Sequence, residues 1–167
     1  MDTLPHENLL TTLGEVAVAF VGFSIVAGIL RAGSIRRFHA MRDVAEIGLL
    51  AVAAAFLPLA IHAYGTSTDV TWRIASATYL ALAALGLGNE FWRRQQLDPD
   101  EFRGEPIRNA VYVMLTVGGY GLLLFNLFLG GPGSGARYTT AVLLLLAVAG
   151  LQFLAAAFSI SPDPPAA

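Results

Sequence analysis

Five long apolar runs, separated by short polar segments, occupy most of this chain of 167 residues. Each run has roughly 20 to 25 residues, which at 1.5 Å per residue is long enough to cross a hydrocarbon layer of about 30 Å. Because lipid cannot hydrogen-bond to the backbone, such a run crosses it as a helix. The pattern predicts an all-α, polytopic membrane protein whose single domain, residues 1–160, is a bundle of five transmembrane helices. The spans are predicted at residues 9–31, 44–64, 72–92, 106–130 and 136–160, followed by a short disordered cytoplasmic tail at 161–167.

Composition supports a membrane protein and excludes several functions. Hydrophobic residues make up 56% of the chain and charged residues 13%, whereas a soluble domain has about a quarter of its residues charged. Cysteine and lysine are absent, which rules out disulfides, thiolate metal sites and Schiff-base chemistry. The net charge of −2 does not suggest nucleic acid as a partner. His62 is the one histidine in a predicted span, so we expect no metal, no cofactor and no enzymatic activity.

The arginines predict the orientation in the membrane. Eight arginines flank the first and third loops, and only Arg73 and Arg137 flank the opposite side. The eight are Arg31, Arg36, Arg37, Arg42, Arg93, Arg94, Arg103 and Arg108. Positive residues accumulate on the cytoplasmic side, so we expect a bacterial inner-membrane protein with its N-terminus outside and its C-terminus in the cytoplasm. Tyr64, Trp72 and Tyr138 would then form an outer aromatic belt.

The basic segment after the first span has two interpretations. Its arginines, Arg31, Arg36, Arg37 and Arg42, are candidates for binding lipid headgroup phosphates. The alternative is that they only set the topology.

Polar and glycine residues predict where the helices begin and end. Asp43, with Glu46 three residues later, is a predicted cap of the second helix. Ser67, Asp69 or Thr71 would cap the third helix, Gly130-Gly131-Pro132 would stop the fourth, and Ser134 would cap the fifth.

Small residues in the first predicted helix share one face. Gly14, Ala17, Ser24 and Gly28 follow a spacing of three and four residues that lets another helix approach closely. This face predicts either ordinary packing within the bundle or an interface between copies. Similar faces in the second, third and fourth helices predict a tight bundle.

Ionisable groups inside a membrane span are candidate functional residues, because an uncompensated charge there costs about 3 kcal/mol. Glu15 falls roughly 8 Å above the midplane of its span, and His62 and Asn126 about 12 Å above theirs. The sequence predicts that these three side chains meet, with Tyr79 and Tyr120 just beneath them. Glu46 and Glu90 form a second polar group about 12 Å below the midplane. Together the seven residues are the predicted proton or ion pathway.

The environment of Glu15 depends on where the first helix begins. Thr12 and Glu15 have the spacing of a capping box, which would put Glu15 at the end of a helix that begins at Leu13. Alternatively, a helix that begins near Pro5 would place Glu15 within the membrane. In the second span, Pro58 removes one backbone hydrogen bond and leaves the carbonyl of Ala54 as a spare acceptor.

One short motif resembles a known family. The segment Leu13-Gly14-Glu15-Val16 resembles the essential carboxylate segment of the small multidrug resistance transporters. The resemblance covers these four positions, and this chain has five predicted helices where that family has four. It implies a proton-linked role for Glu15 by analogy of mechanism.

Two functional hypotheses follow. The first is a small oligomeric transporter or channel, linked to protons or cations, that uses its membrane-embedded carboxylates. The second is a non-catalytic membrane subunit or scaffold that docks a partner protein or its own copies. Under either hypothesis the partners are the lipid bilayer, further copies of the chain in a homo-oligomer, or another membrane protein.

Overall fold

A computed structural model describes residues 4–30, 35–94 and 106–158, with side chains over 4–30, 41–85 and 110–155. The described chain is all-helical and confirms the predicted fold class. Its five helices are α1 (Glu7–Leu30), α2 (Ile35–Ala63), α3 (Thr68–Arg94), α4 (Pro106–Leu129) and α5 (Ser134–Phe158). The tail at 161–167 lies outside the described residues.

Four helices are long and apolar enough to cross a membrane. These candidate spans are Glu7–Leu30, Met41–Ala63, Ala110–Leu129 and Ser134–Ala155, and they define a multi-pass membrane protein. Among the described residues, α3 is not in this set, although five spans were predicted. Its first half carries Asp69, Thr71 and Arg73, which lower its mean hydropathy, whereas Trp72, Ala75 and Tyr79 are buried in the core of the same bundle.

Two helices begin earlier than their cap signals indicated. α1 begins at Glu7, and the Thr12 hydroxyl donates to the carbonyl oxygen of Asn8 at 3.0 Å. Thr12 is therefore inside the helix, and Glu15 is not part of a capping box. Similarly, α2 begins at Ile35. Asp43 therefore lies within the helix and not at its first turn, and the prediction that it caps α2 is wrong. Continuous helical propensity across these segments overrides the isolated cap signals.

The helices are arranged around α5. α5 packs against each of the other four helices, and α1, α2, α3 and α4 follow one another around it. Among the described residues α1 and α4 do not touch, so the ring is open between them. Consequently α1 has one face against α2 and α5 and a broad opposite face on the surface of the bundle.

The contact between α1 and α2 depends on small residues. Gly14, Ala17, Ser24 and Gly28 are all buried. A Cβ atom at Gly14 would lie 2.7 Å from the Phe56 ring, and one at Gly48 would lie 2.7 Å from Val21 Cγ2. These distances leave no room for larger side chains, so the small-residue face of α1 forms a contact within the bundle.

Replacing Gly48 with leucine tests the close contact between α1 and α2. We expect Gly48→Leu to lower the free energy of unfolding by about 1–3 kcal/mol, because the added side chain overpacks against Val21. The measurement is thermal or denaturant unfolding in detergent. Gly121→Leu is the matched control, since a Cβ atom at Gly121 has open space around it. Equal stability of the two variants would contradict the close packing.

Candidate functional site

Most buried polar side chains lie at one end of the bundle, where α1, α3 and α5 begin and α2 and α4 end. We call this the N-terminal end. Asn126, fully buried in the last turn of α4, is its centre. Its amide nitrogen donates to the Ser134 carbonyl oxygen at 2.7 Å and lies 3.5 Å from Ser76 Oγ. Asn126 thus connects α3, α4 and the start of α5.

Arg137 completes this network. Its Nε donates to Asn126 Oδ1 at 2.8 Å, and its Nη2 donates to the Gly130 carbonyl oxygen at 2.6 Å. The guanidinium also lies 4.8 Å from the centre of the Phe125 ring. A cation beside the last carbonyl groups of α4 is stabilised by the helix dipole. The polar atoms of this network are therefore engaged in holding α4 to α5.

An open cleft of about 620 Å³ lies beside this network, lined in part by His6, Trp72 and Pro132. Asp69 and Arg73 at its wall form an ion pair of 3.0 Å, and Asp69 Oδ1 accepts a hydrogen bond from the Gly131 amide at 3.3 Å. These charged groups tie α3 to the α4–α5 turn. No group of three potential metal ligands is present among the described residues.

The carbonyl oxygen that Pro58 leaves without its helical donor is paired with another helix. Tyr138 Oη on α5 donates to the Ala54 carbonyl oxygen at 2.8 Å. Tyr138 is fully buried, and its ring lies 5.5 Å from Trp72 and 6.3 Å from Tyr79, measured between centres. The prediction of an outer aromatic belt is therefore wrong for Tyr138 and Trp72, which fill the bundle interior, whereas Tyr64 is 90% exposed.

The structure does not bring the predicted outer cluster together. His62 is half-buried and its Nδ1 lies 3.5 Å from Thr71 Oγ1, while Asn126 bonds to Arg137. Glu15 is exposed on the bundle surface and has no hydrogen bond or ion pair among the described residues. Tyr79 is buried and Tyr120 half-buried, so aromatic rings and Leu123 fill the space beneath.

The predicted inner group is only partly described. Glu46 is exposed and pairs with Arg42 at 2.6 Å, one turn away on α2. The side chains of Glu90, Arg31, Arg36 and Arg37 lie outside the described residues. Their roles in a pathway or in headgroup binding remain predictions.

Glu15 is on the surface of the bundle, and along the length of α1 it lies close to the middle of the candidate span. It is between three and four residues from the midpoint of the candidate span Glu7–Leu30, or about 5 Å. A second estimate of the depth of Glu15 comes from its neighbour Gly14, which packs against Ala55 and Phe56. Ala55 is three residues from the midpoint of the candidate span Met41–Ala63, again about 5 Å. Glu15 is therefore a carboxylate near the middle of the bundle for which none of the described residues provides a partner.

Sequence reasoning missed Arg137 and Tyr138 as structural polar residues. Arg137 was assigned to the membrane topology and Tyr138 to the aromatic belt. One signal could have found Tyr138, because the spare carbonyl of Ala54 requires a donor from a neighbouring helix. Arg137 follows the glycine-rich turn by one helical turn, where the α4 carbonyl groups need donors.

Comparison with protein-family models, curated proteins and solved structures gives no match to this chain.

The bond from Tyr138 to Ala54 can be tested by a double-mutant cycle. We expect Tyr138→Phe to destabilise the protein by about 1–2 kcal/mol, because it leaves a buried carbonyl group without a donor. In a Pro58→Ala background the amide of residue 58 can donate to Ala54, so the same substitution should be less destabilising. Unfolding in detergent measures both values. An equal loss of stability in the two backgrounds would contradict the role of the proline.

Proposed function

We propose that this protein is a non-catalytic membrane subunit that assembles laterally with another membrane protein chain through the exposed face of α1. The observation that carries the proposal is the position of Glu15, a carboxylate on the outside of the bundle near the middle of a candidate span. The bilayer around the apolar helices is the other partner.

The energy of an exposed carboxylate supports this proposal. A charged side chain near the centre of a span costs about 3 kcal/mol, so such residues normally face a bundle interior or a water-filled cavity. Glu15 does neither in one copy of the chain. A glutamate side chain is also too short to reach across about 10 Å to the edge of a hydrocarbon layer centred on α1. A second protein surface would remove the carboxylate from lipid.

The surface around Glu15 suits a helix contact. Thr12, Glu15, Ala19, Gly22 and Val26 are all exposed and are spaced alternately three and four residues apart. We call these five residues the Glu15 face. At 100° per residue it lies roughly 150° around α1 from the face packed on α2. A Cβ atom at Gly22 would have no neighbour within 4 Å, which leaves space for a partner backbone to approach.

Proton- or cation-linked transport is the second candidate function, and the same carboxylate favours it. In one copy, the buried rings of Tyr79, Tyr138 and Trp72 occupy the interior near the N-terminal end. A pathway through Glu15 would therefore run between α1 and a neighbouring chain. This candidate also needs an assembly, and it differs from the first in requiring flux.

The setting we propose is the bacterial inner membrane, with the N-terminus outside and the C-terminus in the cytoplasm. Arginine asymmetry supports this orientation, because eight of the ten arginines flank the loops assigned to the cytoplasm.

Single-site photocrosslinking tests the lateral assembly. The chain has no cysteine, so a benzophenone maleimide attached to Gly22→Cys or Ala19→Cys reports on one position. In native membranes we expect these labels to form an adduct of defined mass with a protein. The control is Val117→Cys on α4, where residue 117 is 63% exposed and faces lipid in the proposed arrangement. Adducts with lipid alone from all three positions would refute the assembly.

Ion flux separates the two candidate functions. In liposomes containing the protein and its crosslinked partner, we expect the subunit function to give no proton or cation flux in either the native chain or Glu15→Gln. A flux that is present in the native protein and absent in Glu15→Gln would instead establish transport. Glu46→Gln is the matched control, because Glu46 is a carboxylate near the opposite end that already pairs with Arg42.

A further inference from the structure

We propose that the Glu15 face binds a transmembrane helix of a different chain, and that this partner helix carries a basic side chain at the depth of Glu15. This inference rests on the proposed lateral assembly and names the partner's chemistry. Its first support is charge complementarity. A lone carboxylate and a lone cation are each unfavourable in the middle of a membrane, and each compensates the other when they meet.

Among the residues with described side chains, a second copy of this chain offers no cation for Glu15. The exposed described arginines in or beside the candidate spans are Arg42 and Arg73. Arg42 lies next to the first residue of the Met41–Ala63 span, and Arg73 lies in the second turn of α3. Arg42 is thus at the end of its candidate span and Arg73 is near the start of α3, and both already pair with a carboxylate. A symmetric contact through α1 would bring Glu15 against the other Glu15, where like charges repel.

The described side chains of the other helices packed on α1 likewise provide no cation for Glu15. α2 and α5 are the helices that contact α1. Their titratable and charged side chains include His62 and Arg137 at the N-terminal end and Arg42 and Glu46 at the other end. Arg137 is held by Asn126 and Gly130, and neither it nor His62 makes an ion pair with Glu15 in the described chain. The missing charge therefore comes from outside this bundle.

The shape of the face specifies more about the partner. Ala19 and Gly22 form a shallow, small-residue strip one and two turns from Glu15, and Val16 and Phe23 border it with 41% and 67% of their surface exposed. A helix with a small residue opposite Gly22 can approach closely, which brings a basic side chain within reach of Glu15. An arginine matches best because its guanidinium forms two parallel hydrogen bonds with a carboxylate.

Designed transmembrane peptides provide the test. One probe is a leucine–alanine helix with a single arginine near its centre, and the matched control has leucine in place of that arginine. Energy transfer between labelled peptide and labelled full-length protein in phosphatidylcholine vesicles measures binding. We expect the arginine peptide to bind the native chain at least about tenfold more tightly than the leucine peptide, equivalent to about 1.4 kcal/mol. This preference should disappear in Glu15→Gln and persist in Glu15→Asp.

A steric variant separates the charge from the surface. Gly22→Leu should weaken binding of the arginine peptide without unfolding the bundle, because a Cβ atom there has no neighbour within 4 Å and the position is exposed. Circular dichroism in detergent checks that Gly22→Leu and Glu15→Gln fold like the native chain. Equal binding of the two peptides to the native protein would overturn the cationic partner.

The crosslinking result distinguishes this inference from the proposal on which it rests. A protein adduct at Gly22 with the mass of a second chain of this protein leaves lateral assembly standing and refutes the cationic partner. An adduct with a different chain supports both, provided that the arginine peptide competes with that adduct. An adduct that the arginine and leucine peptides suppress equally refutes the charge match.

Discussion

The bundle is governed by the absence of water as a hydrogen-bond partner within a hydrocarbon layer. Pro58 in α2 creates a local violation, since the carbonyl of Ala54 loses its helical donor. Tyr138 of α5 supplies the replacement at 2.8 Å, and this bond joins α2 to α5. The surrounding Trp72 and Tyr79 rings bury the bond. A constraint on one backbone oxygen thus fixes how α2, α3 and α5 pack.

Polar groups in this protein fall into two kinds, and the difference suggests function. At the N-terminal end, Asn126 and Arg137 are bonded to each other and to turns, so they hold the helices together and have little capacity left for a ligand. Glu15 is the opposite case, because it is placed near the middle of a span and turned outwards. A charge that the fold itself does not compensate indicates an interaction that the fold does not contain.

The helical bundle was predictable from the sequence, since five apolar runs of membrane-spanning length leave few alternatives to helices. The small-residue spacing of Gly14, Ala17, Ser24 and Gly28 likewise predicted a buried face. The arrangement of polar side chains was less predictable. Depth along a helix can be counted from the sequence, so Glu15 and His62 were expected to meet, but their direction around the helix depends on which helices are neighbours. Arg137 and Tyr138 were missed for the same reason, because their partners belong to α4 and α2.

The position of α5 has a consequence for biogenesis. α5 is synthesised after α1, α2, α3 and α4, yet it contacts each of them. The α1–α2 hairpin can form early through the close contacts at Gly14 and Gly48. The carbonyl oxygens of Ala54 and Gly130, by contrast, gain their hydrogen-bond donors only when Tyr138 and Arg137 are inserted. Until α5 is inserted, the four preceding helices therefore lack the side-chain donors that these carbonyl groups require, and α5 supplies them.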